Sequence, residues 1–148
     1  MGAYTKLLYQ IVFSTKYRQK TLTKERRQDL FKYIGGVLTN NKCVYYAING
    51  VEDHIHIATS IHPTVCLSAL VKDIKVSSSI WIKRNKVFPN FISWQIGYGA
   101  FTYSLEAKYN LIRYIENQED HHRIKSSYKE YIELLKEYEI DFEEKFIE

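Results

Sequence analysis

The chain has 148 residues, 45% of them hydrophobic and 26% charged, which suits one domain with a real core and is short for two. Six glycines and two prolines exclude collagen and long flexible linkers, and two cysteines exclude a disulfide scaffold. No apolar run approaches the ~20 residues of a membrane helix, and MGAYTKLLYQ lacks the apolar stretch of a signal peptide. Cys43 and Cys66 each sit among apolar residues and read as buried free thiols of a reducing cytoplasm.

In chain order, residues 4–15 (YTKLLYQIVFST) are rich in aromatic and β-branched types and read as a strand. Thr23 is placed to cap a helix whose Leu30, Phe31, Ile34, Val37 and Leu38 follow at helical spacing to about Asn40. Residues 42–49 form a second strand, Gly50 marks a turn, and 53–61 (DHIHIATSI) alternate as a third. Pro63-Thr64 opens a helix carrying Leu67, Leu70, Val71 and Ile74 as far as Arg84. Residues 92–103 (ISWQIGYGAFTY) read as a fourth strand, bulged at Gly97 or Gly99. One helix follows over about 105–123, and a Lys/Glu-rich one over about 127–138.

This order, β-α-β-β-α-β with appended helices, predicts an α+β fold of ferredoxin-like topology. Its antiparallel sheet carries helices on one face and leaves the other available for a partner or ligand. The chain reads as one domain over 1–148, with a core of about 4–103, a helix of about 105–123, and an acidic C-terminal helix and tail of about 127–148.

Charge is unevenly spread. Residues 130–148 carry eight acids against two lysines, a net −6, whereas the remaining 129 residues carry nineteen cations against nine acids, a net +10. With thirteen Tyr, two Trp and seven Phe, this basic, aromatic body suits single-stranded nucleic acid, where phosphates pair with cations and bases stack. The same charges also serve ordinary solubility, and most of the rings belong to the core.

Two constellations carry chemistry. In His54-Ile55-His56 the imidazoles point to one face of a strand and Ile55 to the other, so both histidines can meet one divalent ion. Two polar residues on a solvent face fit the same pattern. Tyr114 and Gln118 stand one helical turn apart, with His121 on the same side, although a tyrosine beside the stripe Leu111, Ile112 and Ile115 also fits plain packing.

Together the blocks Leu8–Arg18 (LYQIVFSTKYR), Gly50–Ile57 (GVEDHIHI), Trp94–Phe101 (WQIGYGAF) and Tyr114–Gln118 (YIENQ) followed by His121-His122 resemble the single-tyrosine transposases of the insertion-sequence 200/605 type. The related repeat-associated tyrosine transposases share the His-hydrophobic-His motif. Gln10 departs from the pattern, standing where a histidine is more usual. The resemblance implies an enzyme that cleaves and rejoins single-stranded DNA at hairpins near transposon ends through a 5′-phosphotyrosine. Tyr114 would be the nucleophile, and His54, His56 and Gln118 would hold Mg²⁺ or Mn²⁺. Lys16, Arg18, Lys20, Lys72, Lys75, Lys83 and Arg84 would contact the DNA backbone. It further implies a homodimer whose tyrosine helix can complete the partner's site, with 102–106 as hinge. The general base is not evident. Two other readings are a non-catalytic nucleic-acid module of the same fold, which gives no role to the pairing of His54 and His56 with Tyr114 and Gln118, and a metal-dependent hydrolase, which gives the tyrosine none.

Overall fold

The computed structural model describes residues 2–122, 125–144 and 147. Four strands, β1 (Leu8–Ser14), β2 (Tyr45–Gly50), β3 (His54–Ser60) and β4 (Gly99–Thr102), form one antiparallel sheet in the order β2-β3-β1-β4. With α1 (Lys24–Asn40) between β1 and β2, and α2 (Leu67–Arg84) between β3 and β4, this is the ferredoxin-like topology the element order predicts. The helices α3 (Lys108–Glu116), α4 (Gln118–His121) and α5 (Ser127–Glu137) follow.

Period-2 alternation sorts the side chains to the two faces. Ile11 and Phe13 of β1 and Ile55 and Ile57 of β3 pack with Leu30, Ile34 and Leu38 of α1 and Leu70, Ile74 and Ile82 of α2. Each fully buried isoleucine or leucine there contributes roughly 2–3 kcal/mol of hydrophobic free energy. The other face is not open. Ala47 and Ala58 meet Ile115 of α3, and Val12 and Phe101 meet Leu135 of α5. The face expected to stay available for a partner is therefore roofed by the C-terminal helices, and β3 is buried over its first six residues.

Several boundaries differ from expectation. Strand one starts at Leu8, and Thr23 flanks α1 without a side-chain capping bond. The second long helix starts at Leu67, because His62 organises a turn first: its ring accepts the Thr64 N–H at 3.2 Å and its carbonyl the Val65 N–H at 2.9 Å. Cys43 is buried as expected, but Cys66 lies exposed at the start of α2. Of the fourth strand only Gly99–Thr102 forms. Trp94 makes one isolated bridge to Thr15, and Gly97 adopts φ +91°, outside strand geometry. Lys75 Nζ takes the carbonyls of Gln95 and Gly97, at 2.6 and 2.7 Å, that a ladder would have used. The expected 105–123 helix breaks at Asn117 (φ −97°, ψ 22°), where the Asn49 amide of β2 donates to the Ile115 and Glu116 carbonyls at 3.0 Å each.

Gly50 closes the β2–β3 hairpin immediately before the histidine strand. A Cβ there would lie 2.1 Å from the His54 carbonyl oxygen and 3.1 Å from Ile55 Cα, both backbone atoms. Gly50→Ala is expected to cost about 3 kcal/mol, at the upper end of overpacking effects, as a lower urea midpoint with unchanged m-value.

Candidate metal and nucleophile site

The roofed face of the sheet holds a buried polar cluster. His54 and His56 project from β3, both under 2% exposed, toward Gln118 of α4 and Glu130 of α5. His54 Nε2 lies 3.2 Å from Gln118 Oε1 and 3.4 Å from Glu130 Oε1. His56 Nε2 lies 2.7 Å from Glu130 Oε1, and His122 Nε2 is 2.9 Å from Gln118 Oε1 and 3.2 Å from Glu130 Oε1. The Tyr114 hydroxyl donates to Glu130 Oε2 in a short hydrogen bond, and His121 Nε2 stands 3.3 Å from that hydroxyl.

The partners on the far side of each ring decide what this cluster can do. His54 Nδ1 lies 2.8 Å from the Asp53 carboxylate, His56 Nδ1 2.8 Å from Gln10 Oε1, and His122 Nδ1 2.6 Å from the Lys125 carbonyl. All three are oxygens that only accept, so each Nδ1 carries a proton and each ring faces the cluster through Nε2, which offers a lone pair wherever the ring is neutral. The Gln118 amide nitrogen donates to the Tyr114 carbonyl at 3.3 Å, which turns Oε1 inward as well. Three imidazole lone pairs, an amide oxygen and a carboxylate therefore converge with too few protons among them. The ligating atoms of His54, His56, His122 and Glu130 all lie within 4.8 Å of one another. A donor set of this kind fits a divalent cation.

The electrostatics separate the two histidines of the strand. Burial alone would push His54 down, but its hydrogen bonds to Asp53 and Glu130 hold it above the usual histidine value. Burial dominates at His56, which drops to about 4 and stays neutral. Glu130 sits far below the carboxylate range although burial opposes this, because His122, His54 and His56 surround it. Burial, then the Glu130 carboxylate, push the Tyr114 phenol well up, so it stays protonated.

The sequence-predicted residues His54, His56, Gln118 and Tyr114 thus come together, and they do so within one chain. The predicted cations do not join this cluster. Lys72, Lys75, Lys83 and Arg84 belong to α2, on the opposite face of the sheet, and Lys75 is engaged by the Gln95 and Gly97 carbonyls. Lys16 and Arg18 form a short 3-10 turn after β1, with exposed Lys20 just beyond. Arg18 turns inward: Nη1 donates to Ser127 Oγ at 2.9 Å, and the guanidinium stands 5.9 and 5.8 Å from the Tyr128 and Tyr131 rings. Ser127 in turn donates to Asp53 Oδ2 at 2.9 Å, so Arg18 ties the start of α5 to the carboxylate that orients His54.

Sequence reasoning assigned no role to Asp53, His122, Ser127 or Glu130, and noted Gln10 only as a departure. One signal was available for Glu130. It lies on the same helix side as Ser127, Tyr131 and Leu134, and a carboxylate within a buried stripe is rarely idle.

A cleft of about 370 Å³ reaches the cluster past Tyr103, Leu111, Tyr114, His121 and Glu133. Among the described residues, no helix is long and apolar enough to cross a membrane.

Comparison with known proteins bears on the family and the fold. Residues 3–118 match the family described as IS200-like transposases. A solved structure of a candidate transposase from Deinococcus radiodurans R1 superposes with TM-score 0.63 at 25% identity, covering 80% of this chain and 95% of that one. A REP-associated tyrosine transposase bound to a REP hairpin superposes with TM-score 0.60 at 15% identity, covering 82% and 72%, and shows the shared fold. A search of curated proteins finds none that matches.

Removing the Arg18 side chain deletes one charged hydrogen bond and two cation–π contacts. Arg18→Ala is expected to lose about 1–2 kcal/mol of stability, with faster amide exchange concentrated in α5, read by hydrogen exchange.

Proposed function

Because the chain belongs to the IS200-like transposase family, we propose that it cuts and rejoins single-stranded DNA at transposon ends through a covalent bond to Tyr114. The observation that carries this reading is the meeting of Tyr114 with His54, His56 and Gln118 around one buried carboxylate. His54, His56 and Gln118 would hold Mg²⁺ or Mn²⁺. Bound there, the cation would polarise the scissile phosphate and stabilise the departing oxygen.

The chain's own residues do the rest. Asp53 and Gln10 fix the two imidazoles so that they ligate through Nε2. Tyr114 would supply the nucleophilic oxygen, and Glu130 holds its O–H in place by accepting from it. As the bond from Tyr114 oxygen to phosphorus forms, the bond from phosphorus to the 3′-oxygen breaks. The 3′-oxygen gains a proton and leaves as a hydroxyl, and the 5′ side stays on the enzyme as a phosphotyrosine. One phosphodiester replaces another, so no nucleotide is consumed, and a 3′-hydroxyl at a new junction reverses the step.

Tyr114→Phe removes only the hydroxyl. The variant is expected to fold and bind DNA while covalent adduct and cleavage vanish, and mass spectrometry of the wild-type adduct should place the nucleotide on the peptide containing Tyr114. Normal cleavage by the variant, or an adduct on another tyrosine, overturns the reading.

The substrate side rests on the net +10 of residues 1–129 and on exposed Lys20, Lys72, Lys83 and Arg84. The hairpin bound to the REP-associated neighbour points the same way. Hairpin DNA with single-stranded flanks is expected to outcompete matched duplex in gel shifts, with affinity falling steeply as salt rises. Duplex prevailing at every salt concentration removes hairpins as the substrate.

A further inference from the structure

We propose that Glu130 of α5 is a ligand of the same cation, giving the site an anionic oxygen from outside the family-matched segment and joining it to the nucleophile. This rests on the reading of His54, His56 and Gln118 as cation ligands and adds to it.

Position is the first argument. Glu130 Oε1 lies 2.7, 3.2 and 3.4 Å from the Nε2 atoms of His56, His122 and His54. The 4.8 Å spread of these ligating atoms is close to twice a metal–ligand distance of ~2.1 Å, so they can surround one ion after small shifts. The other oxygen, Oε2, accepts the Tyr114 hydroxyl. One carboxylate therefore touches both halves of the chemistry.

Ligand chemistry is the second. His54, His56 and Gln118 are all neutral donors, and two of the three are nitrogen. Mg²⁺ and Mn²⁺ prefer oxygen, and above all carboxylate. Asp53 cannot serve, because it is used on the Nδ1 side of His54. Among the described residues Glu130 is the carboxylate on the Nε2 side.

Burial is the third. Glu130 is 3% exposed, and a carboxylate removed from water needs a positive partner. Among the described residues the nearby cations are placed elsewhere: Arg18 donates to Ser127, and Lys125 pairs with Glu133. The rings around Glu130 all turn Nε2 toward it, because their Nδ1 atoms are engaged on the far side.

Glu130 and His122 both lie beyond residues 3–118, the span the family match covers. The consequence is that filling the cation site would tighten the docking of α5, which apolar contacts already hold on the sheet.

The test is calorimetric titration of the full chain with Mn²⁺, alongside hydrogen exchange of α5 with and without the ion. Wild type should bind one ion per chain and show Mn²⁺-dependent protection across 127–137. Glu130→Gln, which keeps the shape, should bind at least ~10-fold more weakly, as even outer-shell losses do. Glu130→Ala should bind more weakly still, with metal-free melting curves confirming that both variants fold. Wild-type affinity in Glu130→Gln overturns the proposal, as does wild type in which Mn²⁺ leaves α5 exchange unchanged, a readout that needs no variant. If His56→Ala abolishes binding while Glu130→Gln does not, the cation reading survives and the role of Glu130 fails. If wild type binds no Mn²⁺, both fail. Faster adduct formation by Glu130→Gln at unchanged Mn²⁺ affinity also overturns it, marking the carboxylate as an occupant of the phosphate's place.

Discussion

A shortage of positive charge at the centre of one sheet face governs this molecule. Three imidazoles, held by Asp53, Gln10 and the Lys125 carbonyl, aim lone pairs at a buried carboxylate and an amide oxygen. In a low-dielectric interior such an arrangement is costly unless protons or a cation fill it. The structure relieves it in part through the proton of Tyr114, shared with Glu130. The proposed cation site and the placement of the Tyr114 hydroxyl thus share the same carboxylate.

The fold makes that convergence unavoidable. β3 is flanked by β1 and β2 and covered on both faces, so a residue on either face is buried. Ile55 and Ile57 go to the α1/α2 side, and their neighbours His54 and His56 must go to the other. There the Val12–Phe101–Leu135 and Ala58–Ile115 contacts pin α5 and α3 against the sheet and bring their polar residues over the imidazoles. Arg18, through Ser127 and Asp53, ties the chain just after β1 to the same place. Apolar contacts position the helices, and the polar network sets which side chains face inward.

Much of this was legible in the sequence because it depends on local periodicity. Alternation in DHIHIATSI puts both histidines on one face, the Tyr114–Gln118 spacing puts both groups on one turn, and the element order gives the topology. What was not legible depends on contacts distant along the chain. The break at Asn117 is capped by Asn49, 66 and 67 residues away from the carbonyls it binds. The fourth strand is shortened by Lys75, a residue of α2. Glu130 counted as one more charge of an acidic tail, although it is the group that completes the cluster, 74 residues from His56. Composition reports how many acids a segment has and is silent on which of them is buried.

The distribution of charge gives the cation a second reason to be there. Glu133 and Glu137 line the cleft to Tyr114 together with Glu130, and its one lysine, Lys125, is paired with Glu133. The exposed cations of α2 lie across the sheet, where they can hold DNA but cannot neutralise a phosphate beside Tyr114. A phosphodiester entering the cleft carries its own negative charge into an acidic mouth. Side chains alone would make its approach repulsive at the point where the reaction must occur. A divalent ion held among His54, His56, Gln118 and Glu130, as proposed, would reverse the local sign within a few ångströms of Tyr114. On the proposed function the basic body would gather DNA, and among the described residues the cation site would be the place that attracts the phosphate beside Tyr114.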